Sequence, residues 1–105
     1  MPKTGATYER KAKALLEARG FTVARQAASV FPDLIAWRGE DTYAIEVKRA
    51  SNRHVATNAR RLFRKALEAT SFPSYWLVQL WLYEDGVKWS VWERQDGGWL
   101  RKELP

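Results

Sequence analysis

The chain has 105 residues, 46% hydrophobic and 29% charged, which is the composition of one globular domain over 1–105 and excludes a disordered chain or two independent cores. It has no cysteine and a single histidine, His54, which excludes disulfides, thiolate zinc sites and cysteine nucleophiles and leaves oxygen ligands for any metal. A formal net charge of +6 and a pI near 9.9 favour a polyanionic partner, nucleic acid being the commonest in a cytoplasm.

The first segment, residues 5–19, places Tyr8, Ala12, Leu15, Leu16 and Arg19 at three- and four-residue steps and predicts a helix, with Thr4 or Thr7 at its start and Gly20 at its end. Residues 21–26 and 33–38 alternate as strands. Arg38-Gly39-Glu40-Asp41 reads as a tight turn into a third strand over 42–49. Ser51-Asn52 can cap a second helix over 53–70, with apolar positions at Val55, Ala59, Leu62, Phe63 and Ala66, and Phe72-Pro73-Ser74 ends it. The apolar run 75–83 predicts a strand covered on both faces. Asp85-Gly86 turns the chain into a strand over 87–94, and Asp96-Gly97-Gly98 into a last one over 99–103.

The expected order is α-β-β-β-α-β-β-β. The first three strands form a meander, and the second helix crosses one face so that the fourth strand enters parallel to an earlier one. This is an α/β fold, a mixed sheet flanked by helices. Five of six tryptophans follow residue 75, where core packing, base stacking and a subunit interface all remain open. No apolar run is long enough for a bilayer, and Met-Pro-Lys-Thr-Gly is no signal segment, so the expectation is a cytoplasmic protein without a membrane partner.

The chemistry-bearing residues are Asp33, Glu46 and Lys48. Alternation puts Glu46 and Lys48 on one face of the third strand, with Ala44, while Tyr43, Ile45 and Val47 face the other way. A hairpin around 39–41 brings Asp33 to the same end. Two carboxylates can hold a divalent cation, and a lysine beside them can orient water or offset negative charge at a phosphoryl centre. The spacing alone also fits a solvated cluster of surface charges. Ile45 and Val47 mark a buried strand, and Asp33 follows Pro32 at a strand start, which favours the site.

Phe31-Pro32-Asp33-Leu34-Ile35-Ala36 followed by Ala44-Ile45-Glu46-Val47-Lys48 resembles the PD-(D/E)XK nuclease superfamily, whose motif is Pro-Asp, a variable gap, then Glu-x-Lys on the adjacent strand. Tyr8-Glu9-Arg10 matches the helix-borne glutamate of many members, and Gly20-Phe21 through Arg25 resembles the archaeal-type Holliday junction resolvases. The resemblance covers roughly residues 5–50 and implies a restriction-endonuclease-like fold. It implies Asp33, Glu46 and the Val47 carbonyl as metal ligands, Lys48 as the catalytic lysine, and Glu9 as an acid supporting the metal. Read from the helix alone, Glu9 also pairs with Lys13 four residues on. Ser29 resembles the loop serine of these resolvases. Here Val30 and Phe31 follow it, where the family has glycine and a longer basic loop, so a serine in a short turn fits equally.

For substrate, Arg53, Arg60 and Arg64 fall within about 40° of one another on the second helix, opposite Leu62 and Ala66, with Arg61 and Lys65 widening the face and Arg49 leading into it. No acid interrupts that helix before Glu68, which favours phosphate contacts over a merely solvated face. No base-reading motif accompanies it. The expectation is a magnesium-dependent DNA endonuclease, with manganese able to substitute. It would resolve four-way junctions as a homodimer, because two symmetric cuts call for two sites, with the tryptophan-rich strands as interface. A general or branched-DNA nuclease of the same fold, or an inactive nucleic-acid-binding module, are the alternatives.

Overall fold

The structure, a computed structural model, describes residues 5–26, 32–68, 70–85, 88–95 and 98–105. Its elements are α1 (Gly5–Ala18), β1 (Thr22–Arg25), β2 (Leu34–Arg38), β3 (Asp41–Ala50), α2 (Arg53–Glu68), β4 (Leu77–Glu84), β5 (Trp89–Gln95) and β6 (Gly98–Lys102). The strands form one sheet in the order β1-β2-β3-β4-β5-β6. Only the β3–β4 pair is parallel, as expected of strands joined by a helical crossover. No described helix is long and apolar enough to cross a membrane.

Each helix ends where its local chemistry dictates. Gly20 stands at φ +88°, its N–H donating to the Glu17 carbonyl and that of Phe21 to the Leu16 carbonyl. This is a Schellman stop, in which glycine takes the left-handed position and Phe21 folds back on Leu16. At the start of α2 the Asn52 carboxamide accepts from the Val55 N–H at 2.9 Å, a side-chain N-cap. Gly39, at φ +60°, closes the β2–β3 hairpin, whose register runs from Arg38 opposite Asp41 to Leu34 opposite Ile45.

The helices cover opposite faces of the sheet. α1 lays Tyr8, Ala12 and Leu16 on Tyr43, Ile45, Val47, Trp81 and Val91, which form the main core. α2 covers the other face, where Phe63 meets Ala44, Val78 and Leu80, and Ala56 meets Ala50 and Leu82. This placement corrects the expected apolar stripe of α2. Val55 and Leu62 point to solvent, at 40% and 54% exposure, while Ala56 and Phe63 are buried. The sheet face beneath is floored by Ala44 and Ala50, so the helix approaches on its small residues plus one ring. A stripe centred on leucine would hold it further off.

The tryptophans resolve mostly as packing. Trp81 is fully buried and donates its indole N–H to Gln79 at 2.8 Å, and its ring meets Trp89 edge-on. Gln79 donates to Glu93, which is also buried and accepts from Gln95. That polar chain was not foreseen in the sequence. It satisfies a carboxylate and an indole inside the core, and so avoids the cost of burying either unpaired.

Candidate active site and nucleic-acid interface

β2 begins one residue after Asp33, and its register with β3 carries Asp33 to a position opposite Glu46. The backbone ladder stops there, and the two acids complete it crosswise. The Val47 N–H donates to Asp33 Oδ2 at 2.9 Å, and the Asp33 N–H donates to Glu46 Oε1 at 3.2 Å. Asp33 is also tied to β1, its carbonyl accepting from the Gln26 N–H. Each carboxylate thus spends one oxygen on a backbone amide, which fixes its rotamer and leaves the second oxygen for another partner. Lys48 Nζ lies 3.6 Å from Glu46 Oε2, on the same strand face.

Glu46 is 8% exposed, and its carboxyl is pushed up to about 8, chiefly by burial. Hydrogen bonding to the Asp33 carboxyl and repulsion from it contribute to that rise, while Lys48 and the Asp33 backbone N–H oppose it without cancelling it. Two acids crowded into a half-buried notch with one exposed lysine beside them form an anionic site short of positive charge. Its donors are all oxygen, which suits a hard divalent cation and not a soft one.

Glu9 departs from the arrangement expected of it. Its carboxylate accepts from Arg25 Nε at 3.0 Å, while Lys13 pairs with Glu17 instead. Among the described residues no three acidic or histidine side chains converge as a metal cluster, so Glu9 does not join Asp33 and Glu46. Its partner Arg25 lies opposite Leu34, the residue after Asp33. Ser29 lies outside the described residues.

A family profile described as the archaeal Holliday junction resolvase (Hjc) matches residues 1–69, nearly two thirds of the chain. The chain belongs to this family. Membership carries nuclease chemistry on junction DNA with it. The matched span holds Glu9, Asp33, Glu46, Lys48 and all of α2. The fold also resembles the 1.6 Å structure of Archaeoglobus fulgidus Hjc, a Holliday junction resolvase from an archaeal hyperthermophile. The TM-score is 0.59 and the identity 21%, over 96% of this chain and 84% of that one. The resolvase fold, with its mixed sheet and two flanking helices, is therefore the one expected from the motif.

The basic residues of this resolvase-family chain are not equivalent. Arg53, Arg61 and Arg64 are exposed on α2. Arg61 is held by the Asn58 carboxamide at 2.9 Å. Arg60 is half-buried at the edge of the helix–sheet contact, its guanidinium 4.7 Å from the centre of the Trp92 ring. Arg49 is exposed and paired with Asp85 at 2.6 Å, so its charge is partly neutralised within the chain. α2 covers the face that carries Glu46 and Lys48, so it lies on the same side of the sheet as the acidic notch.

Proposed function

We propose that the chain is a magnesium-dependent endodeoxyribonuclease that resolves four-way DNA junctions as a homodimer, with Asp33, Glu46 and Lys48 as its catalytic centre. The observation that carries this reading is the crossed hydrogen bonding at the β2–β3 junction. It aims two carboxylates at one point with a lysine alongside.

In this reading Asp33 and Glu46 hold the cation, with the Val47 carbonyl as a third oxygen donor. Bound there, Mg2+ (or Mn2+) lowers the pKa of a water and polarises the scissile phosphoryl group. Lys48, half exposed beside Glu46, orients that water and offsets the charge that builds on the phosphoryl oxygens. Glu9, paired with Arg25, would support the hydration of the site as the family resemblance implies. Ser29 is retained as a candidate on family grounds alone. Arg53, Arg60, Arg61 and Arg64 line the approach of the phosphate backbone from α2, and Arg49 joins them by exchanging Asp85 for phosphate. Two symmetric incisions need two such centres, so the active species has two copies of the chain.

The test compares a four-way junction with linear duplex, with and without Mg2+. Cutting confined to the junction and to Mg2+ is the expected result. Equal cutting of both DNAs would reduce the reading to a general nuclease. Undiminished cutting by Asp33→Asn or Glu46→Gln would remove these residues from the centre.

A further inference from the structure

We propose that the cleft between α2 and strands β4–β6 is a subsite for an unstacked nucleobase of the bound DNA, bordered by the Arg60 guanidinium and the indoles of Trp92 and Trp99. The proposal rests on the nucleic-acid reading above and adds a specific contact to it.

The sheet registers place the cleft. Glu46 is opposite Leu80 on β4, Leu80 is opposite Trp92 on β5, and Trp92 is opposite Arg101 on β6. With Asp33 opposite Glu46, these residues form one row running straight across the strands, and Glu46, Leu80 and Trp92 all sit on the face that α2 covers. At about 4.8 Å per strand, Trp92 stands ~10 Å from Glu46, the reach of a neighbouring nucleotide on the same strand.

The chemistry of the walls selects the ligand. The cleft has a volume of about 180 Å³, with Arg60, Arg61, Arg64, Leu80, Trp92 and Trp99 among its lining residues. A smaller apolar cavity of ~150 Å³ admits benzene, so one aromatic ring fits here. The Trp92 ring already carries two cations, Arg60 at 4.7 Å and Arg101 at 5.7 Å from its centre. Planar guanidinium groups and indoles are the surfaces on which bases stack, and the arginines supply charge for the adjoining phosphate. Trp92 Nε1 is buried and has no hydrogen-bond partner among the described residues. An indole N–H can only donate, so its missing partner is an acceptor, such as a base carbonyl or a phosphate oxygen. Among the described residues no carboxylate lines the cleft to compete for these donors. Leu80, Trp92 and Trp99 lie beyond the residues that match the family profile, while the arginines of the cleft lie within them.

The experiment uses the full chain in excess chelator, so that DNA binds without being cut. Junctions carrying a single abasic tetrahydrofuran, moved one nucleotide at a time past the crossover, keep every phosphate while removing one base. The expected result is an affinity loss of about tenfold at one position only. Trp92→Leu should lose a similar factor on unmodified DNA and become insensitive to the abasic position. Trp92→Phe, which keeps a ring and removes the N–H, should fall between. A flat abasic scan on the unaltered protein overturns the proposal, and it needs no variant to fold. A shift of Trp92→Leu from dimer to monomer in sedimentation, with a flat scan, overturns it too and assigns the cleft to a second copy of the chain. Equal affinity for junction and duplex would defeat the junction reading alone. A single sensitive position on either DNA would still uphold the subsite.

Discussion

Glu46 concentrates the electrostatic cost of the site. Its folded pKa of about 8 lies above the ordinary value of 4.5, so the folded metal-free protein holds a proton that the unfolded chain releases. Stability from this group is complete below pH 4.5 and is lost as pH rises through 8. Urea melts in chelator should show the protein weakening between pH 5 and pH 8, and Glu46→Gln should flatten that trend. At pH 8 the Gln variant should be the more stable of the two while cleaving at least ~100-fold more slowly. Mg2+ should restore stability at pH 8 in the unaltered protein and not in the variant, because the cation takes the place of the proton. Lys48→Ala should slow cutting by ~100-fold or more with junction binding in chelator nearly unchanged, since the ammonium is half exposed and its partner is one acid. Asp33 has a second task. It caps the Val47 N–H, so Asp33→Ala loses a hydrogen bond as well as a ligand, and Asp33→Asn is the cleaner probe.

At the scale of elements, α2 is the helix through which the proposed function brings substrate to the site. Its buried side is Ala56 and Phe63, and its outer side includes Leu62. Phe63→Ala should therefore cost ~3 kcal/mol or more in urea unfolding, and Leu62→Ala within ~0.5 kcal/mol. The reverse result would show that the helix packs on its leucine side. In the proposed reading the exposed arginines act through phosphate. Each one removed, Arg53→Ala or Arg64→Ala, should weaken junction and duplex alike and lower the slope of log affinity against log salt by about 0.9. Arg49→Ala should change that slope less, because Arg49 exchanges one anionic partner for another.

For the whole molecule, the parallel β3–β4 pair is the organising contact. It aligns Glu46 with Leu80 and so sets the acidic notch, α2 and the tryptophan strands in one row on one face. The far face is covered by α1 and holds the Trp81–Gln79–Glu93 chain. A homodimer then has to present two notch-bearing faces to the same junction. Sedimentation at micromolar concentration should give about twice the 12.2 kDa chain mass. A strict monomer that still makes paired cuts would refute the dimeric reading.

The hairpin that carries the candidate site was legible in the residues because every rule that builds it is local. Pro32-Asp33 opens a strand, Gly39 turns the chain, and two-residue alternation puts Glu46 and Lys48 on one face. The helix ends were legible for the same reason, since Gly20 and Asn52 act on backbone groups within a few residues. The facing of α2 was not. Helical periodicity allows more than one inward side, and Ala44 and Ala50, distant in sequence, select the one that packs closest. The partner of Glu9 was hidden for a similar reason: Lys13 is its helical neighbour, but Arg25 is brought to it by the packing of α1 against the sheet. So too the row from Asp33 through Glu46 to Trp92, which exists only because separate strand registers add up across the sheet. Asp33, Glu46 and Lys48 follow from the order of residues, and their setting follows from how the sheet is assembled.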